Sequence, residues 1–267
     1  MKMFHLLATA CSMFAIFTPA IAWAEEASPS PTKTIQGVEP QALEVLRRMS
    51  SALAEAKAFT YRSVSTVEVP AKTGQFITLF STVEVALKRP DRLRAQLSGE
   101  APRFDFYFDG TTASAYAPAT NVYSTVQAPP TIDAMLPALE DATGIRIVSA
   151  PLLVSDPYAM LTRDLSSGVV VGPTVINGRQ CEHLAFRSPG INWEIWVDSG
   201  QGSLPWRVAV TFTDRPNFPR VLVEFLSWNL HPWLKDDAFT FRKPAGTRAI
   251  PFLSVVKSKH PLIGNNQ

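Results

Sequence analysis

The hydrophobic period of this sequence changes after Lys57, and that change limits the chain to a β-rich fold. Before Lys57 apolar residues recur every three to four positions, whereas after it they alternate with polar ones. The clearest alternation lies in residues 103–109, where Phe104, Phe106 and Phe108 share one face of a β-strand. The side chains on the opposite face, which are expected to meet water, are Asp105, Tyr107 and Asp109. The strand should therefore have one dry face and one wet face.

Alternating or β-branched segments fill most of the remaining chain and predict about eleven strands. Asp109-Gly110 and Asn177-Gly178 are strong signals for tight hairpin turns. Short connections favour antiparallel neighbours, and a sheet of this size must curl or close. The predicted strands are residues 59–69, 76–87, 93–97, 104–109, 111–116, 122–126, 169–176, 179–187, 191–197, 206–213 and 221–230.

Helical periodicity is confined to the start and the middle of the chain. An amphipathic helix is predicted over residues 40–57. A second helix should be capped by Thr131 and end at Gly144, with Pro137 expected to kink or break it. Asp156 should cap a short helical turn after it. The predicted apolar face of the second helix comprises Ile132, Met135, Leu136, Leu139 and Ala142.

The first 24 residues have the pattern of a secretory signal peptide. Lys2 precedes an apolar run over residues 4–17, and Ala22-Trp23-Ala24 is a small-x-small cleavage site, so cleavage is expected after Ala24. Two alternatives are an uncleaved membrane anchor and lipidation of Cys11. Export to the periplasm is the preferred interpretation, with no stable membrane span after cleavage.

The mature chain is predicted to be a single globular domain over residues 38–256, between a disordered linker at 25–37 and a flexible tail at 257–267. Without residue Lys2 it has 24 basic and 23 acidic residues, and this net charge of +1 argues against nucleic-acid binding. Cys181 is the one cysteine after cleavage, so an intramolecular disulfide and a cysteine-rich metal site are excluded. No cofactor or metal signature is present, and a monomer is expected.

Two pairs of residues are candidates for enzyme chemistry. Cys181 and His183 lie two positions apart on a predicted strand and share a face, but no orienting partner follows from the sequence, so a hydrolase is the least favoured function. Asp105 and Asp109 share a face as well, and solvated carboxylates explain them more simply than a catalytic pair. A non-enzyme is therefore predicted.

The aromatic content favours a layer packed against the sheet. Large rings in the strands need a second layer, the two helices supply part of it, and a gap between helix and sheet would form an apolar pocket. The alternative is a face filled entirely by core packing. The predicted ligand-binding residues are Phe104, Phe106, Phe108, Met135, Leu136, Trp193, Ile195, Val210 and Phe212.

Several short motifs resemble an uncharacterised family of predicted periplasmic proteins placed near the LolA/LolB-like lipoprotein carriers and the RseB-type stress sensors. The resemblance covers about residues 38–252. It implies an α+β fold in which a half-open antiparallel barrel holds helices on its concave side, around a hydrophobic cavity for acyl chains. The motifs are Arg89-Pro90-Asp91-Arg92-Leu93-Arg94, Phe108 to Thr112, Asn121-Val122-Tyr123, Thr131-Ile132-Asp133, Asp156-Pro157-Tyr158, Cys181 to Arg187 and Trp193 to Asp198.

The leading hypothesis is thus a periplasmic module that binds an acyl chain or the lipid anchor of a lipoprotein between the phenylalanine strand and the second helix. The alternative is an envelope stress sensor or scaffold that binds a protein partner, with the phenylalanines serving only as core. A hydrolase using Cys181 and His183 is third.

Overall fold

The computed structural model describes residues 35–71, 73–100, 103–200 and 202–252. The predicted signal peptide, the lipidation alternative at Cys11, most of the linker and the predicted tail lie outside these residues. The limits of the domain therefore remain a prediction. At its start, Gly37 already accepts a hydrogen bond from the Gly168 amide at 3.1 Å, so the last predicted linker residues join the folded part.

One curled, unclosed sheet of twelve strands dominates the structure, as the alternation predicted. The first block comprises β1 Ala58–Pro70, β2 Phe76–Lys88, β3 Arg92–Gly99, β4 Phe104–Phe108, β5 Thr112–Ala117 and β6 Val122–Gln127. The second comprises β7 Ser167–Ile176, β8 Arg179–Ser188, β9 Ile191–Asp198, β10 Pro205–Phe212, β11 Arg220–Asn229 and β12 Arg248–Ala249. The two-residue β12 has no alternation to reveal it and was not predicted.

The strand order is β12-β6-β5-β4-β3-β2-β1-β11-β10-β9-β8-β7, so two antiparallel meanders join where β1 pairs with β11. The short β12 is the exception, since it pairs with β6 in parallel. At the β7–β8 hairpin Asn177 and Gly178 both have positive φ, which is the backbone that a tight hairpin needs. This long-range pairing places the two blocks in a single sheet.

Register divides the sheet into two faces. Tyr61, Val85, Ala95 and Phe106 are direct neighbours across β1 to β4, so they mark one face, called the concave face here. The same register carries this face across β11, β10 and β9 through Val223, Val208 and Ile195. All seven predicted site residues on strands lie on the concave face, as the alternation indicated.

The helices cover the concave face. They are α1 Pro40–Glu55, α2 Ile132–Thr143, α3 Ala150–Leu153 and α4 Pro157–Thr162. The predicted caps are confirmed: Thr131 Oγ1 accepts from the Ala134 amide at 3.2 Å, Gly144 ends α2 in the left-handed region, and an Asp156 oxygen accepts from the Ala159 amide at 2.9 Å. The helix α1 buries seven residues, including Leu43, as its stripe predicted.

The predicted break at Pro137 is wrong, because α2 is one continuous helix, while the alternative of a kink stays a prediction. Proline removes a single amide, and the bond it removes would have reached the carbonyl of Asp133 in the first turn of the helix. The remaining bonds, the Thr131 cap and the burial of Met135 and Leu136 maintain the helix.

Arg89 connects the helices to the sheet from a partly buried position just after β2. Its guanidinium donates to the carbonyls of Leu53, Ala56 and Leu153, at 3.3, 3.3 and 2.8 Å. These carbonyls lie at the ends of α1 and α3, where helices leave backbone acceptors without intrahelical partners. Arg89, the first arginine of the Arg-Pro-Asp-Arg motif, is thus a structural residue.

The segment 233–250 covers the opposite, convex face at β4 to β6, which contradicts the expectation of a wet face there. On β1 and β2 the convex side chains of Arg62 and Glu84 are exposed, as expected. Phe241 packs against Tyr107, Tyr116 and Tyr123, with ring centroids 5.7, 5.9 and 5.4 Å apart. Asp105 is 3 % exposed and is paired with Arg103 Nε at 3.0 Å. The prediction of a solvated Asp105 is therefore wrong. Its direct neighbour on β5 is Tyr116, which packs against Phe241 of the distant segment, and its carboxylate is paired with Arg103.

Candidate functional site

A cavity of about 280 Å³ lies between the concave face and α2. Its sheet wall comes from β1 to β4 and β11, and its helical wall comes from α2 and the loop at residues 145–149. The volume is close to the lower end of the roughly 300–1,000 Å³ that small-molecule sites occupy. The apolar side chains lining it include Val67, Val83, Val85, Leu93, Ala95, Leu97, Phe104, Phe106, Leu136, Leu139, Val221, Val223 and Phe252.

Three of the predicted ligand-binding residues line this cavity: Phe104, Phe106 and Leu136. The other six are buried in the core and do not line the cavity. Trp193, for example, stacks on Phe186 with ring centroids 4.3 Å apart. The six core residues are Phe108, Met135, Trp193, Ile195, Val210 and Phe212. Ligand binding by any of the nine stays a prediction.

Hydroxyl groups interrupt the apolar lining along β1, and they are not among the predicted ligand-binding residues. Tyr61, Ser63 and Ser65 occupy three successive concave positions, and Ser81 on β2 is the direct neighbour of Ser65. The Tyr61 hydroxyl donates to Ser149 Oγ at 3.2 Å. Burial raises the pKa of Tyr61 to about 12, while the hydrogen bond to Ser149 acts weakly in the other direction. The sequence signal for this polar strip was that Tyr61, Ser63 and Ser65 carry hydroxyl groups on a face that is otherwise apolar.

The loop that completes the helical wall is held by Glu140 on α2. Its Oε1 accepts a hydrogen bond from the Ile147 amide at 2.7 Å. Burial raises the pKa of Glu140, opposed by this hydrogen bond and by the nearby charge of Arg146. Arg146 is the one charged side chain among the described cavity-lining residues, and its guanidinium lies 3.9 Å from Asp214.

The Cys181 and His183 pair does not form a nucleophilic site. Cys181 is 0 % exposed, and burial followed by the charge of Asp198 raises the pKa of its thiol, which disfavours the reactive thiolate. The His183 ring stacks on Trp196 at 4.1 Å, and its Nε2 lies 3.0 Å from Glu194 Oε2. The residues are therefore explained by packing and pairing on the convex face.

Asp109 stabilises the turn between β4 and β5. Its two carboxylate oxygens accept hydrogen bonds from the amides and hydroxyls of Thr111 and Thr112, at 2.8 to 3.1 Å. Burial alone would raise the pKa of Asp109, but the hydrogen bonds from Thr112 and Thr111 outweigh it and lower the pKa. This carboxylate stabilises the turn, whereas the sequence predicted a solvated carboxylate in preference to a catalytic pair with Asp105.

Within the described ranges no group of three or more His, Cys, Asp or Glu side chains is arranged to hold a metal ion. In the same part of the chain no helix has the length and apolar character needed to cross a membrane. Large apolar side chains are exposed near the tip of the β1–β2 hairpin, where Phe76, Ile77 and Phe80 are 51, 40 and 52 % exposed.

Residues 42–253 match the model of a protein family described as predicted periplasmic protein, DUF2092. This chain belongs to the DUF2092 family. The resemblance predicted from the short motifs is confirmed, and the family description agrees with the expected periplasmic location. No curated protein matches this DUF2092 chain.

Solved structures with a similar arrangement have low sequence identity to the DUF2092 chain. Lipoprotein LppX of Mycobacterium tuberculosis is 12 % identical with a TM-score of 0.47, over 72 % of this chain and 96 % of LppX. MucB in its complex with MucA from Pseudomonas aeruginosa is 16 % identical with a TM-score of 0.40, over 76 % of this chain and 61 % of that one. LprF of Mycobacterium bovis is 13 % identical with a TM-score of 0.38, over 79 % of this chain and 99 % of LprF.

Proposed function

We propose that this DUF2092 protein is a non-enzymatic periplasmic module that binds an acyl chain in the cavity between its concave face and α2. The observation that carries the proposal is the apolar lining contributed by β1 to β4, α2 and the 145–149 loop. Burial of a methylene group is worth about 0.8 kcal/mol, so a chain in this cavity gains affinity without a charged contact. Cleavage of the signal after Ala24 and a monomeric mature form are part of the proposal.

The positions of Phe104, Phe106 and Leu136 on the cavity lining support a direct contact of these side chains with the ligand. The six other predicted residues are assigned a supporting role, because they fill the core beside the cavity. The volume of about 280 Å³ favours one acyl chain over a lipid that buries several chains. An acyl chain of a lipoprotein anchor and a free lipid are both compatible with this chemistry.

Filling the cavity tests the proposal. Ala95 lies on β3 and lines the cavity, so Ala95→Phe should reduce the uptake of a fluorescent fatty acid about tenfold or more by occupying the space of the ligand. The matched control is Ala86→Phe, which adds the same ring at a β2 position that does not line this cavity. Uptake is measured by fluorescence titration, and native mass spectrometry of gently purified wild-type protein should detect a bound lipid mass.

A wild-type mass equal to the bare polypeptide, together with no uptake of the fluorescent fatty acid, would contradict acyl binding. That result would favour the alternative function, binding of a protein partner. The exposed apolar residues of the β1–β2 hairpin would then be the surface that contacts the partner. If Ala95→Phe and Ala86→Phe lower uptake equally, the ligand binds elsewhere on the protein.

A further inference from the structure

Ser63 differs from the other hydroxyl-bearing residues of the cavity. It is 1 % exposed and lines the cavity, with Phe225 on β11 and Val83 on β2 as its neighbours in register. No described residue forms a hydrogen bond with its Oγ. Tyr61, one concave position away, has Ser149 as its partner. A buried donor without an acceptor therefore borders the proposed ligand site.

The surroundings of Ser63 determine what kind of group can serve as its acceptor. Buried hydroxyl groups are almost always hydrogen-bonded, because burial removes their hydrogen bond to water and only a new partner offsets that cost. A hydrocarbon in the cavity would leave the Ser63 hydroxyl without a partner. A carbonyl oxygen on the ligand would accept its hydrogen bond.

Charge argues for a neutral carbonyl over a carboxylate. Arg146 is the one charged side chain that the described residues contribute to the cavity lining, and Asp214 and Glu140 already lie near it. A carboxylate beside Ser63 would be buried among apolar side chains without a cation, which is strongly unfavourable. An ester carbonyl carries no such penalty.

We propose that the ligand is an acyl ester whose carbonyl oxygen lies inside the cavity and accepts a hydrogen bond from Ser63 Oγ. This inference rests on the proposed acyl-binding function and adds a chemical class to it. Ser63 is then a specificity residue that distinguishes an acyl ester from a hydrocarbon of the same shape, while the apolar walls bind both.

The test compares two ligands of equal chain length, methyl dodecanoate and tetradecane, as competitors of the dye N-phenylnaphthylamine. Ser63→Ala should lower the affinity for methyl dodecanoate about fivefold to tenfold, as expected for one lost hydrogen bond. The affinities for tetradecane and for the dye should stay within about twofold of the wild-type values. The matched control is Ser50→Ala on α1. Ser50 is also buried without a hydrogen-bond partner among the described residues, but it does not line the cavity.

Each outcome separates the two proposals. If Ser63→Ala changes the affinities for both competitors equally, or changes neither affinity, the ester inference is wrong and the proposal of acyl binding stands. If the wild type binds neither competitor nor dye, both proposals fail. If Ser63→Ala does not fold, the variants Ser63→Thr and Ser63→Val replace it, because they share a shape and differ in the hydroxyl. The ester should then bind about fivefold more tightly to the Thr variant, with tetradecane equal in both.

Discussion

Tyr61 shows how the cavity wall alters a single residue. The phenol has a usual pKa of 10.0, and its burial in the fold raises that pKa to about 12. Between these two values the unfolded chain loses a proton that the folded chain retains, which favours unfolding. The contribution of Tyr61 to stability is therefore fully present below about pH 10 and is lost as the pH rises from about 10 to about 12.

Tyr61→Phe should remove this alkaline loss. The wild type should lose about 2 to 3 kcal/mol more of its free energy of unfolding than the variant between about pH 9 and pH 12. The measurement is urea unfolding followed by circular dichroism across this range. Ser149→Ala is the control, since it removes the hydrogen bond and keeps the buried phenol, so its alkaline loss should persist. Parallel stability curves for the wild type and Tyr61→Phe would contradict the prediction.

At the scale of elements, the cavity depends on α2 and the loop that follows it. The loop follows the Gly144 cap and is fixed by the hydrogen bond from the Ile147 amide to Glu140. The Ile145 amide also donates to Thr143 Oγ1 at 3.1 Å, and the Tyr61 hydroxyl donates to Ser149 Oγ, so the Glu140 contact is one of three that hold the loop over the cavity. Access of a ligand is expected to depend on it.

Glu140→Ala should loosen the loop at Ile147. We expect the Ile147 amide to exchange with solvent about fivefold faster, because a protecting hydrogen bond of about 1 kcal/mol is removed, and the dye to dissociate faster from the cavity. Hydrogen exchange and stopped-flow fluorescence measure the two effects. Glu140→Gln keeps an acceptor oxygen and should behave nearly as the wild type. Unchanged exchange at Ile147 in Glu140→Ala would show that other contacts hold the loop.

At the scale of the whole molecule, the described part of the sheet has helices on its concave face and a long segment across part of its convex face. Helices cover the concave face, while the segment 233–250 crosses the convex face of the first block and ends beside β6 through β12. Phe239 in this segment is fully buried, and Lys88 on β2 pairs with Asp236 at 2.6 Å. The segment is thus an integral layer of the fold.

Phe239→Ala should lower the free energy of unfolding by about 3 to 5 kcal/mol, the usual range for removing a fully buried phenyl group. Trp233→Ala lies in the same segment, at a side chain that is 82 % exposed, and should change stability by at most about 0.5 kcal/mol. Denaturant unfolding of both variants provides the comparison. Equal effects would mean that the segment does not pack on the sheet in solution.

Local sequence patterns determined the elements and their faces. The two-residue period assigned Phe104, Phe106 and Phe108 to one face, and Asn177-Gly178 fixed a hairpin, because pleating and positive φ depend on adjacent residues. Thr131 and Gly144 fixed the ends of α2 for the same reason. Such features need no knowledge of distant parts of the chain.

The tertiary structure alone decided which concave residues border a cavity and which fill the core. Phe106 lines the cavity and Phe108 does not, although the two occupy equivalent positions in the same strand. A cavity is the space left between side chains from β1, α2 and β11, which are far apart in sequence, so no local pattern contains it. The unpartnered hydroxyl of Ser63 and the packing of a distant segment on Tyr107 and Tyr116, the neighbours of Asp105, have the same origin. Sequence determined the face, and packing between remote elements determined what that face can hold.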